Sequence, residues 1–233
     1  MEAYVRRFHE GPGNVEETGV TIATITIEHQ GDELAAGARS YVYRMLATAF
    51  SYPTSDLSES LASSEWSRRL FGLAQHLPFE LSMPAETTPS GTLPEVLQQG
   101  YVNTFEVGIG RPYCPLYEGS HRSGRIKLME DLVRFYEHFG LIARPGDHPD
   151  HLSAELEFMH YLAFKEAAAL AHVGPVPDLQ RAQRDFLDRH LCKWLPRVRE
   201  RLLSAGDVPA FYLFAAGLTA EFCKRDLARL KEQ

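Results

Sequence analysis

Cysteine is scarce in this chain, which has three cysteines among its 233 residues. Cys114, Cys192 and Cys223 lie far apart in the sequence, and no two of them form a Cys-x-x-Cys pair. Zinc ribbons need closely spaced cysteines, and disulfide frameworks need an even number at regular spacings. We therefore expect reduced, mostly buried thiols, as in a cytoplasmic protein.

Long apolar runs and an excess of positive charge are also missing. No run approaches the roughly 20 apolar residues of a membrane-spanning helix. Arg6 and Arg7 form a twin arginine, but no apolar segment or small-residue cleavage site follows, so we predict no secretory signal. The formal net charge of −7 argues against nucleic acid as the main partner, because phosphate binding needs clustered Lys and Arg. The expectations are no nucleic acid, no membrane insertion and a cytoplasmic location.

What the chain does contain is helical periodicity from Leu34 onwards. Apolar residues recur at three- and four-residue spacing in about seven segments that are separated by Gly and Pro. There is no alternation of strands with helices and no repeat period. The pattern predicts an all-α fold, a single-domain multi-helix bundle over residues 34–233.

Local signals predict how particular helices begin and end. Asp56, with Glu59 three residues later, is typical of a capping box, and we expect it to begin a second helix that reaches about Leu77. Tyr41 is expected on the buried face of the first helix. Pro196 is expected to kink or interrupt a later helix.

Residues 1–33 differ from the rest of the chain. The run VTIATITI at 20–27 is rich in β-branched residues, which favour an extended strand. No second convincing strand is available to pair with it, and a lone strand is not stable in water. The run could be disordered, or it could pair with a client or with a symmetry mate in a homodimer; disorder is the preferred interpretation. We predict an irregular N-terminal arm, extended or disordered.

The stretch GDHPDHLSAELEFMHYLA at 146–163 joins a polar loop to an amphipathic helix. Pro149 favours an extended conformation before it, so that Asp150 could accept backbone N–H bonds as the N-cap. From Leu152 the apolar positions recur at helical spacing, and Glu155 lies beside this stripe. A buried carboxylate needs a hydrogen-bonding partner. The candidates for Glu155 are His151, Arg111, Tyr113, Tyr117 or an arginine of a bound molecule.

The same stretch offers an alternative site for a metal ion. His148, His151 and Glu155 combine an HxxH pair with a carboxylate one turn later, and these ligands suit zinc, manganese or iron. A hydrolytic site would need an open coordination position and further ligands, which the remaining histidines do not supply. The H-E-x-x-H signature is absent. A metal-dependent hydrolase is therefore the alternative, and a structural helical adaptor whose loop only caps a helix is a third hypothesis.

A glycine-rich phosphate cradle is a poor interpretation of the segment 108–124, because the third glycine and a preceding strand are both missing. We expect a structured loop there instead, with Tyr113 and Tyr117 against the core. Part of that loop is the first of four segments that together carry a resemblance to known proteins. They read RPYCPLYEGSHRSG at 111–124, PDHLSAELEFMHYL at 149–162, QRDFLDRHLCKWLPRV at 183–198 and FYLFAAGLTAEFCKRD at 211–226.

These four segments resemble the TorD/DmsD/NarJ family of redox-enzyme maturation chaperones. The first is similar to the family's PYESVY region, with Cys-Pro and Gly119 as departures, and the third resembles its FLxxHLxxWxP segment. The likeness covers most of residues 35–230, whereas residues 1–33 have no counterpart.

The resemblance implies an all-helical TorD-like cytoplasmic chaperone for a molybdopterin oxidoreductase of the DMSO reductase class. Such chaperones bind the apo catalytic subunit, often at its N-terminal twin-arginine leader. They hold it until the molybdenum cofactor is inserted, and so delay export. The PYCPLYEG loop most resembles chaperones that serve the type II branch of these enzymes. We expect no enzymatic activity and no bound cofactor.

The residue types fit such a task, since arginine prefers bidentate carboxylate partners and an apolar leader segment suits a groove between helices. By resemblance, Asp150 and His151 match the loop implicated in leader binding, and Tyr117 with Glu118 match a tyrosine–glutamate pair. The predicted client-binding residues are Tyr113, Tyr117, Glu118, Asp147, Asp150, His151 and Glu155.

Overall fold

The computed structural model describes residues 8–10, 31–84, 94–108, 112–143, 146, 148–172 and 175–232, and only the backbone of 8–10 and 143. Within these ranges the predicted all-α fold is confirmed. The helices are α1 Asp32–Ala49, α2 Ser55–Ala62, α3 Glu65–Ala74, α4 Pro94–Tyr101, α5 Arg125–His138, α6 Leu152–His172, α7 Val176–Arg189, α8 Leu191–Ser204 and α9 Ala210–Glu232. A π-helical turn, Val102–Glu106, follows α4, and a 3-10 turn, Glu118–Ser120, precedes α5.

Helix α6 lies at the centre of the bundle. Its first twelve residues are almost all buried, and a helix that is buried on every side belongs in a core rather than at a surface. It packs along the length of α1, and α7, α8 and α9 contribute to the same apolar cluster. The N-terminal end of α6 is therefore held rigidly, and this end carries the 146–163 stretch.

Three local predictions are wrong. Tyr41 is 43% exposed, whereas Val42 and Leu46, which were predicted on the same face of α1, are buried as expected. The predicted second helix is two helices, broken at Ser64, which has a positive φ of 57°. The cap of α2 is Thr54, whose Oγ1 accepts a hydrogen bond from the Leu57 amide at 3.4 Å, so the Asp56–Glu59 pair does not form the cap.

Pro196 lies inside α8, so the helix continues through it. The interruption occurs six residues earlier, at His190, where φ is −118° and ψ is −95°. This break turns the chain between α7 and α8, and it places the His190 side chain in the interior, where it is 1% exposed. The consequence is a buried imidazole beside the candidate site.

A two-stranded antiparallel ladder joins the N-terminal arm to the bundle. Strand β1, Phe8–Glu10, pairs with β2, Leu141–Ala143, which follows α5. The run at 20–27 lies outside the described residues. Helix α1 begins at Asp32, and the division into an arm of 1–33 and a helical domain stays a prediction.

A buried ionic network joins α1, α6, α7 and α9. Arg39 is 1% exposed and contacts Glu166, Asp226 and Gln183. Burial alone would raise the pKa of both carboxyl groups, but the Arg39 guanidinium and the surrounding hydrogen bonds lower the pKa of each below its ordinary value. Both groups are therefore held as carboxylates that share the Arg39 cation, and Asp226 Oδ1 also accepts from Arg229 Nε at 2.9 Å.

Candidate functional site

Two loops meet at the N-terminal end of α6 and are joined through their backbones. Tyr117 and His151 form an isolated antiparallel bridge. The Glu118 amide donates to the Asp150 carbonyl at 2.8 Å, and the Leu152 amide donates to the Leu116 carbonyl at 2.8 Å. The segments 111–124 and 149–162, which the sequence singled out separately, thus form one structural unit.

Three of the predicted site carboxylates lie inside this unit. Glu118, Asp150 and Glu155 are each 0% exposed. In this conformation none of the three can contact an arriving peptide. A charge that leaves water must be compensated by neighbouring groups, so the partners of each carboxylate decide what it does.

Asp150 does not cap α6, and that prediction is wrong. Its Oδ2 accepts from the Gly119 amide at 3.2 Å, across the junction of the two loops. The amide of Ser153 donates instead to Nδ1 of His151, also at 3.2 Å, which places His151 in the capping position. Asp150 therefore ties the loops together, and its Oδ1 has no hydrogen-bond partner among the described residues.

Glu118 lies between the Arg122 guanidinium and the His190 imidazole. Arg122 donates to its Oε1, and His190 Nδ1 lies 2.9 Å from its Oε2. On the other side of the imidazole, Nε2 lies 3.3 Å from Asp131 Oδ2. Arg122 also donates to the Arg189 carbonyl at 2.7 Å. Glu118 thereby joins the 3-10 turn to the α7–α8 break.

Glu155 takes its hydrogen bond from a residue of α8. Trp194 Nε1 donates to its Oε2 at 3.2 Å, whereas Oε1 has no hydrogen-bond partner among the described residues. Burial, followed by the nearby Glu118 and Asp150, raises the pKa of Glu155 well above its ordinary value. The same kind of surroundings raise the pKa of Tyr136, whose hydroxyl donates to the Pro149 carbonyl at 2.8 Å.

Several ring side chains of the unit are at least partly accessible. The Tyr117 ring is half-buried and lies edge-on between the rings of His148, at 5.2 Å, and His151, at 5.0 Å. His148 is exposed, and Tyr113 is 48% exposed. Tyr113 does not lie against the core as expected. Tyr117, His148 and His151 together are called the ring surface.

The remaining predictions concern Asp147, Arg111 and the alternative metal site. Asp147 and Arg111 lie outside the described residues. Across the described ranges, no three His, Cys, Asp or Glu side chains are grouped so as to hold a metal ion. His151 Nδ1 lies 2.7 Å from Ser153 Oγ, while Glu155 is directed towards Trp194. The geometry therefore gives the hydrolase hypothesis no support.

Sequence reasoning missed the residues that surround the carboxylates. His190 and Trp194 were recognisable as inward-facing positions of a helical segment, but their polar atoms were not assigned partners. A signal was present, because a buried imidazole and a buried indole both need hydrogen bonds. The sequence could not show that α8 brings these two side chains close to the N-terminal end of α6.

Known protein families and individual proteins resemble this chain over a region that contains the unit. The model of the family described as nitrate reductase delta subunit matches residues 54–200, which include every predicted site residue. The selenate reductase assembly chaperone protein of Thauera selenatis is 41% identical over 60% of this chain and 72% of its own. The chlorate reductase assembly chaperone protein of Ideonella dechloratans is 41% identical over 51% and 63%. The perchlorate reductase assembly chaperone protein of Dechloromonas aromatica is 35% identical over 83% and 90%.

Proposed function

This chain belongs to the nitrate reductase delta subunit family, and we propose that it is an assembly chaperone, not an enzyme, that binds the apo catalytic subunit of a molybdopterin oxidoreductase. The match to the family model and to the named assembly chaperones confirms the resemblance to the TorD/DmsD/NarJ family. The observation that carries the proposal is 35% identity to a protein named as an assembly chaperone over 83% of this chain and 90% of that one.

The finer parts of the proposal concern the client. We take it to be an enzyme of the DMSO reductase class, bound in the cytoplasm through its N-terminal twin-arginine leader until the cofactor is inserted. The names of the selenate, chlorate and perchlorate relatives favour the type II branch. Within the described ranges, no helix is long and apolar enough to cross a bilayer. A homodimer rests only on the run at 20–27.

The geometry supports two different roles among the predicted site residues. Glu118, Asp150 and Glu155 are positioning residues: Asp150 joins the two loops, Glu118 joins the 3-10 turn to the α7–α8 break, and Glu155 joins α6 to α8. Tyr117 and His151, with the exposed His148 and Tyr113, supply ring faces to a peptide. Guanidinium groups stack on aromatic rings, with about 0.5–2 kcal/mol per contact. Asp147 remains a predicted direct contact.

The assembly role is tested by co-expression. The chain is produced in, or omitted from, cells that express the catalytic subunit of a selenate, chlorate or perchlorate reductase, the enzymes for which its relatives are named. We expect the molybdenum content per purified subunit to fall several-fold when the chain is omitted. An unchanged molybdenum content and unchanged enzyme activity would overturn the proposed function.

The ring surface is tested by titration with a synthetic twin-arginine leader peptide of that subunit. Tyr117→Ala and His151→Ala are expected to weaken binding by about tenfold, the loss of one good stacking contact. Phe164→Ala serves as the control, because Phe164 is 42% exposed on α6 and lies outside the two loops. Equal affinity in all variants would exclude the ring surface as the contact.

Circular dichroism separates binding from capping in these variants. His151 also accepts the Ser153 amide, so His151→Asn is made beside His151→Ala, because asparagine is a good N-cap. Restored helix content with weak binding in His151→Asn would support a contact role. Restored affinity in the same variant would instead assign His151 to capping alone.

A further inference from the structure

The start of α6 places two acids where a helix usually makes an apolar contact. The amides of Ala154 and Glu155 donate to the His151 carbonyl at 2.8 Å and 3.1 Å, so His151 is the residue that caps the helix. Asp150 is then the residue before the cap, and Glu155 is the fourth residue after it. Side chains at these two positions often pack against each other as a hydrophobic staple. In this chain the two staple positions carry carboxyl groups.

Each of these two acids has one oxygen that accepts a hydrogen bond and one that does not. Asp150 and Glu155 are both 0% exposed. Asp150 Oδ2 accepts from the Gly119 amide, and Glu155 Oε2 accepts from the Trp194 indole. Asp150 Oδ1 and Glu155 Oε1 have no hydrogen-bond partner among the described residues. Unpaired oxygens in an interior are rare because they are costly. One proton held between these two oxygens would satisfy both.

The pair of acids has no cation of its own. The Arg122 guanidinium and the His190 imidazole both contact a third carboxylate, Glu118 of the 3-10 turn. Arg125 of α5 lies beside the same turn, without an ion pair to either acid of the pair within the described ranges. Burial, followed by the neighbouring carboxylates, raises the pKa of Glu155 well above its ordinary value. Two ionised carboxylates at the staple would therefore be uncompensated in the interior.

The other titratable groups around the pair do not supply a positive charge. Burial raises the pKa values of the Tyr136 hydroxyl of α5 and the Cys223 thiol of α9, so both groups stay neutral. Burial lowers the pKa of His121, in the loop before α5, which favours its neutral form. Nδ1 of His151 is bonded within its own segment, and Glu157 of α6 is a further acid. These surroundings favour a proton on the pair.

We infer that Asp150 and Glu155 share one proton across the staple positions, and that this proton keeps the 3-10 turn against the start of α6. The carboxyl of one acid donates to the carboxylate of the other, so the pair carries a single negative charge. When the proton passes to bulk water, two carboxylates lie side by side next to Glu118, with neutral donors only. Water then enters the junction, and the turn that carries Gly119 separates from the helix. The junction is a proton-sensitive switch, closed at lower pH and open at higher pH.

The shared proton is tested by NMR of the side-chain carboxyl carbons in the full-length chain, followed over pH. We expect the Glu155 resonance, assigned with Glu155→Gln, to titrate above the ordinary value of 4.5. In Asp150→Asn it should titrate about one pH unit lower, since an amide neither repels a carboxylate nor shares its proton. Glu157→Gln, which removes an acid outside the staple, is the control and should move the titration less. An unchanged titration in Asp150→Asn, or equal shifts in both variants, would overturn the inference.

The opening of the junction is tested by tryptophan fluorescence. The chain has two tryptophans, so Trp66→Phe leaves Trp194, which is 0% exposed, as the only reporter. We expect acrylamide quenching of Trp194 to rise several-fold as the pH passes through the Glu155 titration, while circular dichroism shows constant helix content.

The matched control for the fluorescence experiment is Glu155→Gln in the same Trp66→Phe chain. Its amide can donate to Asp150 at every pH, so quenching should stay low throughout. An equal rise in this variant, or no rise in either chain, would contradict the switch. If Trp66→Phe does not fold, the resonance titration decides, because it does not use that substitution. No client is present in either experiment, so failure of this inference and failure of the chaperone proposal are separate results.

Discussion

The Trp194–Glu155 hydrogen bond ties α8 to the N-terminal end of α6. Trp194→Phe keeps an aromatic ring but removes the donor, so that a fully buried carboxyl loses its only hydrogen bond among the described residues. We expect the free energy of unfolding to fall by about 1–3 kcal/mol more than ring shrinkage alone would cause. Trp66→Phe measures that shrinkage, because Trp66 is 4% exposed and its Nε1 has no hydrogen-bond partner among the described residues. Equal losses of unfolding free energy in the two variants, measured by urea titration, would show that the hydrogen bond contributes no net stability.

Glu155 also makes stability depend on pH. Its pKa is raised in the folded chain, so the folded state binds the proton more tightly than the unfolded state does. Stability is then lost as the pH rises from 4.5, the ordinary value, through the folded pKa. Glu155→Gln removes this titration and keeps an oxygen that can accept from Trp194. We expect the variant's stability advantage to grow as pH rises above 4.5, whereas Glu95→Gln, at an exposed position of α4, should follow the wild-type curve.

At the residue scale, the sequence foresaw that Glu155 needs a partner but not which one. The candidate partners were a neighbour in sequence, residues of the 111–124 loop or an arginine of a bound molecule. The observed partner is 39 positions away, on a helix whose packing angle no local pattern specifies. Asp150 was misread for a similar reason, since an acid before a helix is a good cap unless another amide is closer.

Helix α4 illustrates a constraint between elements. A Cβ added at Gly100 would collide with Cγ of Pro209, and a proline ring cannot rotate away. We expect Gly100→Ala to cost about 1–3 kcal/mol of unfolding free energy through overpacking. Gly72→Ala in α3 has nothing within 4 Å of the added Cβ and should stabilise the chain by about 0.5–1 kcal/mol. Thermal unfolding of both variants compares them, and a shift of the same sign would contradict the close approach of Pro209 to Gly100.

Element types were predictable, whereas some element boundaries were not. Helix α5 follows its amphipathic pattern and ends before Gly140, which has a φ of +75°. The break at Ser64 was missed because serine carries no strong stop signal. The sequence prediction placed the interruption at Pro196 and not at His190, because a proline inside a helical pattern usually marks a kink or a break.

Arg39 ties four helices of the molecule together. Arg39→Met would leave Glu166 and Asp226 without their shared cation, and breaking a buried pair in this way costs about 3–5 kcal/mol. Arg225→Met in α9 breaks an exposed pair with Glu221 and should cost less than about 1 kcal/mol. Denaturant unfolding at neutral pH compares the two. Comparable losses would mean that the network contributes no more than a surface pair.

The same network predicts the acid side of the stability profile. The pKa values of Asp226 and Glu166 lie below their ordinary values of 3.8 and 4.5 in the folded chain. Their stabilisation is therefore fully present above those ordinary values and is lost as the pH falls through the lowered folded ones. In the Arg39→Met variant, the free energy of unfolding should change less with pH over this acid range than it does in the wild-type chain.

By itself, the sequence determined the helices, the family and the stretch where the candidate site lies. Apolar spacing specifies which face of each helix is buried, and motif order survives without coordinates. Tertiary structure alone decided that the acids of the site are buried and bonded to residues of distant segments, while ring side chains stay partly exposed. The physical reason is that local spacing decides which face of a helix turns inward, but only the packed chain decides which polar atoms from distant segments meet it there.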